Sequence, residues 1–103
     1  MPNQHFFLKL IPPRATFVED MTHTERQLMQ DHAAYMRGLF NGGKVLIYGP
    51  VKAATGAFGI GVLEAENEAE ARLMMDNDPT ILAGMNTFEI SPMVVAAARG
   101  TQD

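Results

Sequence analysis

One histidine in this chain lies where an apolar residue is the ordinary choice. His32 falls on the apolar stripe of a predicted amphipathic helix, whose other members recur at helical spacing: Leu28, Tyr35, Met36 and Leu39. We therefore expect the imidazole to point inward or into a cleft, where both ring nitrogens need hydrogen-bond partners. A histidine in such a place can take a proton from a substrate, so His32 is a candidate general base.

Asp78 is the predicted partner of His32. A carboxylate bonded to one imidazole nitrogen fixes the tautomer and leaves the other nitrogen free to accept a proton. Each residue also has a purely structural interpretation. His32 could be a half-buried histidine bonded to a backbone carbonyl, and Asp78, which precedes Pro79, could be an ordinary helix N-cap. The pair indicates catalysis more strongly than either residue does alone.

Two further side chains are candidates for binding a substrate. Arg14 lies in the first predicted loop, where its guanidinium could hold an anionic group or pair with an acidic surface residue. Tyr48 ends the second predicted strand beside Gly49 and Pro50. Its hydroxyl could reach a cleft, although an aromatic residue at the rim is the simpler interpretation.

Other chemistry receives little support from the residues. The histidines do not pair at i, i+4, and no His-Glu-x-x-His pattern occurs, so we predict no metal site. Three glycines resemble a phosphate loop but open no helix, and close strand packing explains them better. The eight methionines indicate adaptable packing and no cofactor. The three histidines are His5, His23 and His32, and the three glycines are Gly56, Gly59 and Gly61.

Composition narrows the class of protein. A net charge of −4 with scattered basic residues argues against nucleic-acid binding. The absence of cysteine excludes a disulfide framework and thiolate catalysis. No basic segment leads into a long apolar one near the start, and the longest apolar run, Met93 to Ala98, is far shorter than the ~20 residues that span a bilayer. We expect a soluble, cytoplasmic protein that does not bind membranes.

The predicted elements follow the order βαββαβ. Capping signals mark both helix starts, at Thr22 and at Asn67. A loop fills the space from Pro12 to about Met21, and a longer loop over residues 52–56 joins the middle strands. The strands are His5–Ile11, Lys44–Val51, Ala57–Ala65 and Thr87–Pro92; the helices run from the Thr22 cap to Phe40 and from the Asn67 cap to about Asn77, and a turn or short helix ends at Gly84.

This order predicts a single α+β domain over residues 1–103 with ferredoxin-like topology. A four-stranded antiparallel sheet would carry both helices on one face. The first strand is apolar on both faces, since Phe6 and Leu8 point one way and Phe7 and Ile11 the other. A bare apolar face indicates a second sheet, so we predict a homodimer. The apolar tail, Met93 to Ala98, could extend the last strand or reach the partner.

Several short motifs, in their order and spacing over nearly the whole chain, resemble the YciI-like (YCII-related) family. They are Asp-His-Ala-Ala-Tyr around His32, Gly43, Gly49-Pro50, Gly56, Asp78-Pro79 and Gly84. The resemblance implies a dimeric α+β barrel, with His32 and Asp78 at the positions of the family's active-site pair. It also implies an enzyme class loosely: one relative is a dehydrochlorinase of a chlorinated hydroxyhydroquinone, and neighbours of the superfamily include muconolactone isomerase-like enzymes and cofactor-independent monooxygenases.

The sequence therefore favours a small cofactor-independent lyase or isomerase that acts on a cyclic or aromatic molecule. In this hypothesis His32 moves a proton, Asp78 orients it, and Arg14 and Tyr48 anchor the substrate. The alternative is a non-catalytic domain that binds a small ligand or serves as a dimerisation module, because a fold by itself does not decide function.

Overall fold

The computed structural model describes residues 3–100, which form one four-stranded antiparallel sheet with helices against it. The strands lie in the order β2-β3-β1-β4, so the α+β, ferredoxin-like prediction is confirmed. The elements are β1 (Gln4–Ile11), α1 (Phe17–Asp20), α2 (His23–Asn41), β2 (Val45–Ala53), β3 (Gly56–Ala65), α3 (Glu68–Asp76), α4 (Pro79–Leu82) and β4 (Thr87–Met93).

The hydrophobic core lies between one face of the sheet and the helices α2 and α3. Alternate residues of β1, namely Phe6, Leu8 and Leu10, are buried there against Met36 of α2 and Met75 of α3. Burial of large apolar side chains is the main favourable term in folding, which explains why the period-two pattern of β1 fixes the face that it buries. The opposite face of the sheet carries no helix among residues 3–100.

The capping signals in the sequence mark the helix starts correctly. Thr22 Oγ1 accepts a hydrogen bond from Glu25 N at 3.1 Å, and Glu25 Oε1 accepts one from Thr22 N at 2.9 Å, which completes a capping box. Asn67 Oδ1 accepts from Glu70 N at 2.9 Å at the start of α3. These bonds satisfy backbone donors that a helix otherwise leaves without partners.

The first predicted loop contains one turn of helix, α1. A four-residue element is too short to show helical periodicity in a sequence. Its Phe17 is buried, so tertiary burial rather than local preference stabilises this turn.

The connection between β2 and β3 is shorter than predicted. Ala53 pairs with Gly56, which leaves only Ala54 and Thr55 between the strands instead of a loop over residues 52–56. The small side chains of this segment show no apolar alternation in the sequence, yet their backbone groups pair. Gly56 has the positive φ of +132° that this turn needs. At the other end of the sheet β4 extends to Met93, and Val94 beyond it is exposed.

A tight turn after α4 leads the chain into β4. Gly84 N donates to Ile81 O at 2.9 Å and Met85 N donates to Thr80 O at 3.0 Å, the paired bonds of a Schellman motif. Gly84 takes the left-handed conformation, φ +73°, that this motif requires.

No helix among residues 3–100 is long and apolar enough to cross a membrane.

We expect Gly84→Ala to lower the free energy of unfolding by roughly 1–2 kcal/mol, because an L-residue is strained at positive φ. Gly38→Ala is the matched control. Gly38 lies within α2, a Cβ there would meet no atom within 4 Å, and alanine should stabilise the helix by about 1 kcal/mol. Urea unfolding measures both effects, and a Gly84→Ala protein as stable as the original would contradict the role given to this turn.

Candidate active site

The structure brings His32 and Asp78 together from different elements. His32 lies in the middle of α2, and its Nδ1 is 2.5 Å from Asp78 Oδ2. The histidine side chain keeps 15% of its surface exposed, whereas the aspartate side chain is fully buried. The predicted pair is therefore in direct hydrogen-bond contact, although 46 positions separate its members in the chain.

Asp78 holds its position because it is also the N-cap of α4. Its Oδ1 accepts two hydrogen bonds from Thr80, one from the backbone N at 2.8 Å and one from Oγ1 at 2.7 Å. Pro79 lies in the first turn, where its lack of a backbone N–H means that no donor is left without a partner. The capping interpretation and the partner interpretation of Asp78 thus hold together: one carboxylate oxygen caps the helix and the other contacts His32.

Hydrogen bonding keeps Asp78 ionised. Burial opposes the charge and by itself would raise the pKa of the carboxyl group, but the hydrogen bonds from His32 and Thr80 outweigh burial and hold the pKa below its usual range. A carboxylate can only accept, so the His32 Nδ1–H donates to it. In the neutral form of this imidazole, Nε2 then carries the lone pair that can accept a proton.

His32 lines a cavity of about 270 Å³ between the sheet and α2. Most of its wall is apolar, and the polar side chains on it are those of His32, Tyr48 and Asn86. Gly59 belongs to the floor, where a Cβ would lie only 3.3 Å from Leu10 Cβ, so the close packing expected at this glycine is confirmed. Contributors from the helices and loops include Phe17, Val18, Met21, Met29, Ala33 and Met36.

Tyr48 lies at this cavity, and Arg14 is not among its lining residues. The half-buried Tyr48 ring packs edge-on against Phe40, with centroids 5.9 Å apart. The Arg14 guanidinium forms ion pairs with Asp20 at 2.7 Å and with Glu25 at 2.8 Å. Hydrogen bonds from Arg14 and from the Thr22 backbone lower the pKa of Glu25 to about 2. Arg14 thus joins the first loop to α2, and its contact with a substrate stays a prediction.

Sequence analysis missed one polar residue of the cavity, Asn86. It immediately precedes β4, where an asparagine is ordinary loop composition, so its type and position carried no signal. Tyr35, predicted only as part of the apolar stripe, donates through its hydroxyl to Met74 O at 2.7 Å. No group of three or more metal-ligating side chains forms within residues 3–100.

Solved structures share this fold at low sequence identity. One is 5-chloro-2-hydroxyhydroquinone dehydrochlorinase from Burkholderia phenoliruptrix, in complex with 2,5-dihydroxybenzoquinone; the match covers 84% of this chain and 90% of that one, with 21% identity and a TM-score of 0.62. Another is an uncharacterised protein from Thermotoga maritima, with 9% identity, a TM-score of 0.54, and coverage of 89% and 99% respectively. At such identities the likeness concerns the fold alone.

The family relationship rests on the sequence itself. No curated protein matches the chain significantly. The family model described as the YCII-related domain, however, matches residues 6–94, a range that contains all of α2, every residue that lines the cavity and the His32–Asp78 pair. The chain therefore belongs to the YCII-related family.

Proposed function

We propose that this protein is a cofactor-independent enzyme that moves protons on a small cyclic or aromatic molecule. The observation that carries the proposal is the hydrogen bond between His32 and the buried Asp78 at the wall of an apolar cavity. A base whose tautomer is fixed, beside a space for one small molecule, is the arrangement that general acid–base catalysis needs.

His32 Nε2 would take the proton in this reaction. As the ring becomes positively charged, the Asp78 carboxylate stabilises it, and the low polarity of the surroundings strengthens that attraction. The short bond to Asp78 also holds the ring in one orientation, so little reorganisation accompanies proton transfer. Tyr48 is the secondary proposal for anchoring a substrate, and Arg14 would first have to release Asp20 or Glu25.

Dehydrochlorination of a hydroxylated ring is the reaction that we propose first. His32 takes a hydroxyl proton, and a proton added to the chlorine-bearing carbon makes that carbon tetrahedral. Loss of a second hydroxyl proton then expels chloride with the electrons of the C–Cl bond, and the ring becomes a quinone. The sum is loss of one HCl, and no external oxidant is needed, because C–H replaces C–Cl while the ring is oxidised. The dehydrochlorinase with the same fold supports this substrate class.

A domain that binds a ligand without catalysis is the second candidate. The mainly apolar wall favours it, since burial of an apolar ring can supply binding energy without any proton transfer. The two functions differ in one measurable respect: only the enzyme changes the molecule that it binds.

We also propose that two copies pair through the open face of the sheet. Ile47 on β2 is 56% exposed on this face, and Phe7 on β1 and Met93 on β4 are also exposed there. The same face carries Lys9 opposite Glu89, so it offers apolar surface together with both signs of charge. A second copy presents the same set and can complement it about a two-fold axis.

His32→Asn should lower turnover of a chlorinated trihydroxybenzene by roughly 10²–10⁴-fold, the usual contribution of a general base. The free energy of unfolding should change by only about 1 kcal/mol, because a polar side chain remains near Asp78. Chloride release, followed with an ion-selective electrode, measures the first effect, and urea unfolding measures the second.

His23→Asn is the matched control for that experiment. His23 begins α2 but is exposed and lies outside the cavity, so its variant should release chloride at the original rate. Equal rates for the His32→Asn protein and the unaltered protein would contradict the general-base assignment. Calorimetric binding of these compounds without any chloride release would instead support the non-catalytic domain.

Asp78→Asn should invert the tautomer of His32 while leaving the cap in place. The new amide can still accept from Thr80 through its oxygen, but its NH₂ group donates to Nδ1, so the proton of the imidazole moves to Nε2. The nitrogen that faces the substrate in the proposed mechanism then has no lone pair for the proton, and turnover should fall by at least ~10²-fold. ¹⁵N chemical shifts of His32 report the tautomer, and an unchanged Nδ1–H form would contradict this account of Asp78.

Ile47→Lys should convert the dimer into a monomer, because it places a charge in the proposed apolar interface. Leu73→Lys is the matched control: Leu73 is 60% exposed but lies on α3, away from the open face. Light scattering at micromolar concentration should give twice the mass of one chain for the original protein and for Leu73→Lys. One-chain mass for the original protein would overturn the proposal.

A further inference from the structure

The side chain of Asn86 is buried with one of its polar atoms unused. Only 3% of the residue is exposed, and Oδ1 has no hydrogen-bond partner within residues 3–100. The Nδ2 group contacts the Met29 sulfur at 3.7 Å, and a thioether is a weak acceptor. A buried amide oxygen without a partner costs stability, so its presence calls for a reason other than packing.

Asn86 lines the same cavity as His32 and is positioned by the same turn as Asp78. Its backbone N donates to Thr80 O at 3.2 Å, while the Thr80 side chain and backbone N donate to Asp78. Thr80 is itself fully buried. One short segment, residues 78–86, therefore carries both the carboxylate that orients the histidine and an asparagine that lines the cavity, with Oδ1 of that asparagine buried beneath the cavity surface.

We propose that a small rotation of the buried Asn86 amide lets Oδ1 accept a hydrogen bond from a hydroxyl group of the molecule bound in this cavity. Asn86 thereby selects ring compounds that carry a hydroxyl over compounds of the same shape that lack one. This inference rests on the proposed function only in placing the ligand in the cavity, and it holds for a catalyst and for a binding domain alike.

The physical basis of the selection is an unpaired acceptor. A ligand without a donor leaves Oδ1 desolvated and unpaired, whereas a hydroxylated ligand recovers a hydrogen bond in surroundings of low polarity. A wholly apolar cavity would have the opposite preference, since toluene loses less hydration than phenol on transfer from water. The order of affinities for these two probes of similar shape thus reports on the acceptor.

Binding of phenol and of toluene, measured by ¹H–¹⁵N NMR titration, tests the proposal without any need for turnover. The original protein should bind phenol more tightly than toluene. Asn86→Leu, which keeps the approximate shape but removes the acceptor, should shift the affinity ratio toward toluene by about 5–10-fold, as expected for one neutral hydrogen bond. Asn41→Leu, an exposed asparagine of α2 outside the cavity, should leave the ratio unchanged.

Thermal unfolding gives an independent readout. Asn86→Leu removes a buried amide whose oxygen has no partner and whose NH₂ group contacts the weakly accepting Met29 sulfur, so the melting temperature should rise by a few degrees. A fall would assign Asn86 a structural role and overturn the proposal. If leucine prevents folding, Asn86→Ala supplies the same comparison of phenol with toluene.

The outcomes separate this inference from the proposed function. If the preference for phenol over toluene is unchanged in Asn86→Leu but disappears in His32→Asn, the hydroxyl group binds the imidazole. That result would overturn the role of Asn86 and would leave the general-base assignment of His32 intact. A shift of the ratio in Asn86→Leu, in a protein that releases no chloride, would support Asn86 while contradicting the proposed dehydrochlorination.

Discussion

The buried carboxylate of Asp78 is the constraint on which the rest of the site depends. An ionised group removed from water is stable only when donors replace its hydration. Three donors do so here, two from Thr80 and one from His32. The helix α4 and the central part of α2 must therefore lie at a fixed distance, and the imidazole must keep one orientation. Loss of one of these donors would leave the buried charge less fully compensated.

The contrast between this charged pair and its apolar surroundings determines the chemistry that is open to the cavity. Little water is near these buried groups to screen their charges, so the attraction between Asp78 and a protonated His32 is stronger than it would be at the surface. The same low polarity raises the free-energy cost of a polar atom without a hydrogen-bond partner, and Asn86 Oδ1 is such an atom. The proposed ligand selection and the proposed proton transfer thus share one physical origin.

The sheet supports the site by using its two faces differently. Its covered face supplies the floor of the cavity through Leu8, Leu10 and Gly59, and it anchors α2 by burying Met36. The proposed pairing of two copies would use the open face, on the opposite side of the sheet from that floor. The Burkholderia dehydrochlorinase and the Thermotoga protein share this fold at low sequence identity, and a fold by itself does not decide function.

Local patterns in the sequence determined the order of elements, both long helices and their caps, because capping and periodicity act over three to four residues. They also singled out His32, since a polar residue on an apolar stripe is visible without a structure. Only tertiary structure decided the contact of His32 with Asp78, the engagement of Arg14 by Asp20 and Glu25, and the unused oxygen of Asn86. Those properties depend on which elements meet although they are far apart in the chain. Whether a polar atom has a hydrogen-bond partner is known only once those elements have been placed against each other.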